Sequence, residues 1–148
     1  MTSPLYVSLA RYENQKIPTD SYTLLTFPAT SSDDYVMAGR DRSIIVPEFE
    51  GLACLEMNVI WEPAPRGWPV GGKLQYVFTR EPHGKDDRTG YNHVAPVLGV
   101  NCFTSTHWLK VYPDVPLGVK VAQRSGYPLN VTHAQFKMTL FPKEQHAG

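Results

Sequence analysis

Four stretches of the chain alternate apolar and polar residues with a period of two. In the clearest, residues 53–61, every odd-numbered residue is apolar, whereas Glu56 and Asn58 are polar. This alternation is typical of a β-strand with one buried face. The same pattern predicts strands over residues 73–80, 117–123 and 130–140. It places three large aromatic side chains in the predicted core: Trp61, Tyr76 and Phe136.

Weaker alternation predicts four more strands, over residues 5–11, 21–27, 43–46 and 107–112. Thirteen prolines and eleven glycines are spread along the chain and leave little room for a long helix. About eight short strands without a helical period favour an all-β sandwich or a closed barrel. The longest stretch without alternation, residues 81–92, is predicted to be an exposed loop.

Length and charge narrow the classes of function. The 148 residues fit one domain spanning 1–148, with short flexible ends at about 1–4 and 143–148. Fourteen basic and fourteen acidic side chains give a net charge of zero, which argues against a nucleic-acid partner. There is no apolar run long enough to span a bilayer and no secretory signal pattern at the start, so we expect a soluble protein without a membrane partner.

The chain has few residues arranged for catalysis or metal binding. Cys54 and Cys102 lie in apolar, strand-like contexts and are predicted to be buried free thiols rather than a disulfide. The five histidines are isolated in sequence, although His93 and His107 could converge in space. Nucleophile-elbow and phosphate-loop motifs are missing. We therefore expect no enzyme activity, no catalytic residues, no metal and no cofactor.

Four residues are candidates for an exposed contact with a ligand. Trp68 and Tyr91 fall in predicted loops and could stack on the apolar face of a sugar. The neighbouring Asp86 and Asp87 could accompany them, or could bind calcium, although a solvated turn is the favoured interpretation.

Three stretches together resemble a known family. A Gln-x-Ile-Pro turn occupies residues 15–18, a Val-Pro turn at 46–47 precedes Gly51, and Gln-x-Ser-Gly-x-x-Leu-x-Val occupies 123–131. In this order they resemble the jelly-roll head domains of bacteriophage virion proteins, which are akin to the tumour-necrosis-factor and complement globular-head fold. The resemblance extends from about Val7 to Phe141.

The resemblance implies a jelly-roll β-sandwich of about eight antiparallel strands that forms a homotrimer through one apolar sheet face. It also implies a virion structural protein, assembled in the host cytoplasm. The favoured role is capsid decoration, with the major capsid or tail proteins as partners. Two alternatives stay open: a tail-tip or fibre-head module that binds a host-surface glycan or receptor, and a diverged metal-binding cupin.

Overall fold

The computed structural model describes residues 3–33, 37–39 and 42–144, and in this part of the chain every regular element is a strand. No helix there is long and apolar enough to cross a membrane. The ten strands are β1 (Leu5–Arg11), β2 (Gln15–Ile17), β3 (Thr23–Leu24), β4 (Ala29–Asp33), β5 (Gly51–Trp61), β6 (Leu74–Arg80), β7 (Asp87–Val94), β8 (Asn101–Val111), β9 (Leu117–Gln123) and β10 (Leu129–Pro142).

The strands form two antiparallel sheets. One follows the order β4-β1-β10-β5-β8, with β2 paired to β10, and the other follows β3-β9-β6-β7. Strands adjacent in space are mostly distant in sequence, as in a jelly roll. The long strand β10 is central to the larger sheet because it pairs with both β1 and β5.

The core lies between the two sheets and is built from the inward-facing residues of the alternating strands. Trp61, Tyr76 and Phe136 are fully buried, which confirms their predicted place in the core. The Trp61 indole donates a 2.9 Å hydrogen bond to the Tyr76 hydroxyl, so two polar atoms buried in the core satisfy each other. Burial raises the pKa of Tyr76, which keeps its hydroxyl protonated.

The four strands predicted from clear alternation agree with the structure, and so does the strand predicted from weaker alternation at 5–11. Those at 5–11 and 117–123 have the predicted bounds, and those at 53–61, 73–80 and 130–140 are each displaced by at most two residues at either end. The predicted strand at 21–27 shortens to β3, and the one at 107–112 is the end of the much longer β8. At 43–46 only Ile45 forms β-bridges, one to Ala38 and one to Leu117.

The loop predicted over 81–92 is the main error, because strand β7 begins at Asp87. Only 81–86 forms a turn, which is closed by the amides of Gly84 and Asp86 donating to the Glu81 carbonyl at 2.9 and 2.8 Å. Strand β7 lies at the edge of the smaller sheet and, among the described residues, pairs with β6 alone. An edge strand needs few apolar residues, so its pattern differs little from that of a loop. The short β2 and β4 were also absent from the prediction. Of the chain ends predicted to be flexible, residues 1–2 and 145–148 lie outside the described residues.

Candidate assembly surface

The face of the six-stranded sheet that points away from the core is the most extensive candidate site. Because side chains alternate along each strand, the even-numbered residues of β5 and β8 and the odd-numbered residues 133–141 of β10 lie on this outward face. The pairing registers place them in rows across the sheet. From one end of the strands to the other, the rows are Phe141–Leu52–Lys110, Thr139–Cys54–Trp108, Lys137–Glu56–Thr106, Gln135–Asn58–Thr104 and His133–Ile60–Cys102.

The first two rows form an apolar end. Trp108, Leu52 and Phe141 are 54%, 47% and 43% exposed, although they belong to regular strands. The rings of Trp108 and Phe141 stack with their centroids 5.9 Å apart. Beside them a hollow of about 370 Å³ is bordered by Leu52, Phe141 and Gly51 and by the charged residues Glu50, Lys110 and Lys143.

The middle rows form a polar band whose side chains bond to one another. Lys137 and Glu56 make an ion pair at 3.5 Å. The Asn58 amide donates to Gln135 at 3.3 Å, and its oxygen accepts a 2.8 Å bond from the Thr104 hydroxyl. These polar groups already have partners within the chain.

A second, mostly apolar hollow of about 240 Å³ lies at the other end of the face, around Ile60 and His133. Tyr12, 62% exposed, forms one wall and meets the His133 ring edge-on at 6.3 Å. Arg11 also borders this hollow, but its guanidinium donates to Thr26 at 2.7 and 2.6 Å and to the Glu13 carbonyl at 3.0 Å. Burial lowers the pKa of Arg11, and the charge of Glu13 partly offsets this.

Strand β8 is an exposed edge along one side of the same face. It is eleven residues long and pairs only with β5 in the described part of the chain. Lys110 is its one charged residue, apart from the titratable His107. A long edge strand with so little charge is open to pairing or packing with another chain.

Both cysteines are free, as predicted, but neither is buried. They lie on even-numbered positions of β5 and β8 and therefore on the outward face, with Cys54 half-buried and Cys102 exposed. The prediction of burial was wrong because the apolar context of each cysteine belongs to neighbours that point the other way. Partial burial and the nearby charge of Glu56 raise the pKa of the Cys54 thiol.

The four predicted contact residues do not form one site. Asp86 accepts bonds from Thr79 at 2.7 Å and from Lys120 and Arg88 at 2.9 and 2.8 Å, within a network on the smaller sheet. Asp87 is exposed and lies 3.8 Å from Arg80. Asp86 is thus engaged by cations of the chain itself, as expected of a structural carboxylate.

The two aromatic candidates also separate. Tyr91 lies on strand β7 rather than in a loop and is 57% exposed. Near it, the Arg88 guanidinium lies 4.5 Å above the Tyr22 ring. Burial raises the pKa of Tyr22, with Arg88 opposing and Tyr91 adding to the shift. Trp68 is half-buried against the core, and its indole nitrogen is buried without a hydrogen-bond partner among the described atoms.

The histidines do not converge on a metal site in the described residues, where no group of three or more potential ligands occurs. His93 bonds to Gln75 at 3.3 Å, and His107 bonds to Thr89 at 2.9 Å between the two sheets. His146 lies outside the described part of the chain.

Comparisons with known proteins identify the fold. No protein-family model and no curated protein sequence matches the chain. Among solved structures, the globular domain of zebrafish complement 1qA protein matches with a TM-score of 0.67 and 13% identity, over 95% of this chain and 99% of that one. The fold is a jelly-roll β-sandwich. Murine APRIL matches as well, with TM-scores of 0.68 at pH 8.0 and at pH 5.0, at 11% and 12% identity, over 94% of this chain and 100% of each of those. The predicted fold class is thereby confirmed, and at these identities the likeness concerns the fold alone.

The apolar residues at the two ends of the outward face were missed in the sequence, although a signal for them exists. Leu52 and Ile60 on β5, Trp108 on β8 and Phe141 on β10 are apolar residues in the polar phase of an alternating strand. An out-of-phase apolar residue faces away from the core, and several on adjacent strands form a patch.

Proposed function

We propose that this protein is a non-enzymatic structural protein that assembles as a homotrimer through the outward face of the six-stranded sheet. The observation that carries this proposal is the exposed apolar end formed by Leu52, Trp108 and Phe141. Exposed aromatic residues that stack on one another in regular strands are typical of protein interfaces. The adjacent edge of β8, on which Lys110 is the one charged residue besides His107, gives a second reason for association.

A ring of three copies suits this combination of surfaces. The face of one copy and the β8 edge of the next are different surfaces, so their contact is head-to-tail, and in the proposed trimer a rotation of about 120° between copies closes it into a ring. With the ring axis along the strands, the edge of one copy follows the face of the next over its whole length. The polar band between the apolar ends is compatible with burial because its side chains already bond within the chain.

Light scattering on the purified protein tests the trimer. We expect a particle of three chains of 16.6 kDa each. Trp108→Glu should reduce the mass to one chain, because it places a charge in the contact. Tyr91→Glu is the matched control: Tyr91 is similarly exposed, at 57% against 54% for Trp108, but lies on the other sheet, so this variant should remain trimeric. A wild-type protein of one chain mass, or a trimeric Trp108→Glu, would refute the assembly surface.

We further propose that the trimer decorates the capsid of a bacteriophage and stabilises the particle. Support comes from the Gln-x-Ile-Pro, Val-Pro and Gln-x-Ser-Gly motifs, whose order resembles that of phage virion head domains. Mass spectrometry of purified virions should detect the protein in many copies, and antibody labelling should place it on the capsid. Virions that lack the protein would contradict this role.

A module that binds host glycans is the second candidate, and the exposed Tyr91 beside the Arg88–Tyr22 pair favours it. Aromatic rings next to polar side chains are a common arrangement for sugar contacts. Glycan-array binding that is lost in Tyr91→Ala, together with antibody labelling at the tail tip, would support this role over decoration. Trp68 and Asp87 do not join this group, and Asp86 contributes by holding Arg88 in place.

A further inference from the structure

The connection between β7 and β8 is an exposed loop made only of apolar residues and glycine. It consists of Ala95-Pro96-Val97-Leu98-Gly99-Val100. Leu98 is 86% exposed, and Val97 and Val100 are 57% and 55% exposed. Several aliphatic side chains in contact with water on one loop are unfavourable unless another surface covers them.

The loop is held in a defined conformation. Asn101 is buried, and its side chain accepts a 2.8 Å bond from the Val97 amide and donates to the Val97 carbonyl at 3.1 Å. Gly99 takes the left-handed conformation that the turn requires, with φ at 95°. A buried amide that bonds both polar groups of Val97 fixes the direction in which the aliphatic side chains project. Such preorganisation lowers the entropy lost on docking.

The hollow around Tyr12, Ile60 and His133 lies at the same level along the strands as this loop. Ile60 pairs with His133 on one side and with Cys102 on the other. The loop joins β8 at Asn101, one residue before Cys102. A rotation about an axis along the strands leaves every level unchanged. In the proposed ring, the loop of one copy therefore meets the next copy at the level of this hollow.

We infer that Leu98 docks into the hollow around Tyr12, Ile60 and His133 of an adjacent copy of this chain, while Val97 and Val100 pack against the rim of the hollow. The hollow is mostly apolar, and its volume of about 240 Å³ is enough for one or two aliphatic side chains. The Arg11 guanidinium beside the hollow donates to the carbonyls of Thr26 and Glu13. Because it already has these partners, an apolar group can occupy the hollow. This inference depends on the proposed trimer and identifies a second contact within it, remote from Trp108.

A dilution series of the trimer, followed by analytical ultracentrifugation, tests the contact. Leu98→Asp should raise the concentration at which the trimer dissociates by about tenfold or more, because it places a charge in an apolar contact. Val70→Asp is the matched control, because Val70 is fully exposed on the β5–β6 connection at the same end of the sandwich. Both positions are exposed, so neither change should impair folding. If the two variants dissociate at the same concentration, the inference is overturned. This holds even if Leu98→Asp has lost binding to virions, because the loop would then contact another partner and not an adjacent copy.

Cross-linking gives a second readout that does not depend on affinity. In a background with Cys54→Ser and Cys102→Ser, Tyr12→Cys combined with Leu98→Cys should form disulfides between chains on mild oxidation and yield a covalent trimer. Tyr12→Cys combined with Val70→Cys should stay unlinked. A wild-type protein that is monomeric would refute the proposed function as well, whereas a wild-type trimer without the Tyr12–Leu98 link refutes only the docking of the loop.

Discussion

The Asp86 network gives the sharpest test of how this fold is stabilised. Asp86 lies in the turn before β7 with φ at 50°, and Thr79, Arg88 and Lys120 all bond its carboxylate. Partial burial acts to raise the pKa of Asp86, but the hydrogen bonds from Lys120, Thr79 and Arg88 and the charge of Arg88 outweigh it. Together they lower this pKa from 3.8 to about 2. The network joins β6, β7 and β9 and therefore connects three strands of the smaller sheet.

Asp86→Asn removes the charge and preserves the shape. Asparagine tolerates the left-handed backbone as well as aspartate does, so the turn should persist. The lowered pKa corresponds to about 2 kcal/mol of folding free energy, and solvent at the partly exposed carboxylate reduces this to roughly 1–2 kcal/mol. Lys120, whose side chain is only 13% exposed, would then lack its ion-pair partner beside the Arg88 cation. The total expected loss at pH 7 is about 2 kcal/mol.

Urea unfolding measures this loss. The protein concentration is held fixed, because assembly makes the apparent stability depend on concentration. Asp87→Asn is the control, with an expected change under about 0.5 kcal/mol, since Asp87 is exposed and 3.8 Å from Arg80. The folded-state pKa of Asp86 lies below the unfolded-state value. Its contribution is therefore complete above about pH 4 and is lost as pH falls towards 2. An Asp86→Asn protein as stable as wild type at pH 7, or a difference that persists undiminished at pH 2, would refute the reasoning.

Two further substitutions test the core and the sheet edge by thermal or urea unfolding. Tyr76→Phe should lower the free energy of unfolding by about 1–3 kcal/mol, because it leaves the buried Trp61 indole N–H without an acceptor. An unchanged free energy of unfolding would show that water replaces the hydroxyl. Gly90→Ala should cost more than Gly67→Ala, by at least about 1 kcal/mol. Both glycines have positive φ, at 65° and 72°, but a Cβ at Gly90 would lie 3.1 Å from the Phe78 ring while one at Gly67 would meet nothing within 4 Å.

The long strands could be predicted from sequence because each has one buried face. On β5 and β10 the buried residues recur at every second position, and this period sets both the strand and its orientation. Strand β7 lacks that signal, since Tyr91, His93 and Val94 are exposed on an edge strand that, in the described part of the chain, pairs only with β6. Edge strands are formed by pairing with a neighbour, which a local pattern does not record.

The candidate surface was harder to predict than the fold for a related reason. The sequence indicated that Trp108 belongs to a strand. Its neighbours on the sheet are Cys54, about fifty residues earlier in the chain, and Phe141, about thirty residues later, and only the strand register shows that they are neighbours. The ligands of Asp86 show the same limit, since Lys120 is distant in sequence. Side chains that act together across strands can be recognised only once the pairing is known.

The division of the outward face into two apolar ends and a polar band has a consequence for the proposed trimer. Strand residues on one face are about 7 Å apart along the strand, so sliding a partner by one row changes which surfaces meet. In a slipped arrangement, an apolar part of one copy would lie against the Lys137–Glu56 pair of the next copy. The two charged groups would then be buried against apolar side chains, which is unfavourable. A uniformly apolar face would allow many such registers and would favour disordered aggregation of a chain with no net charge. The polar band therefore adds little attraction to the assembly, and its effect is to restrict association to one register.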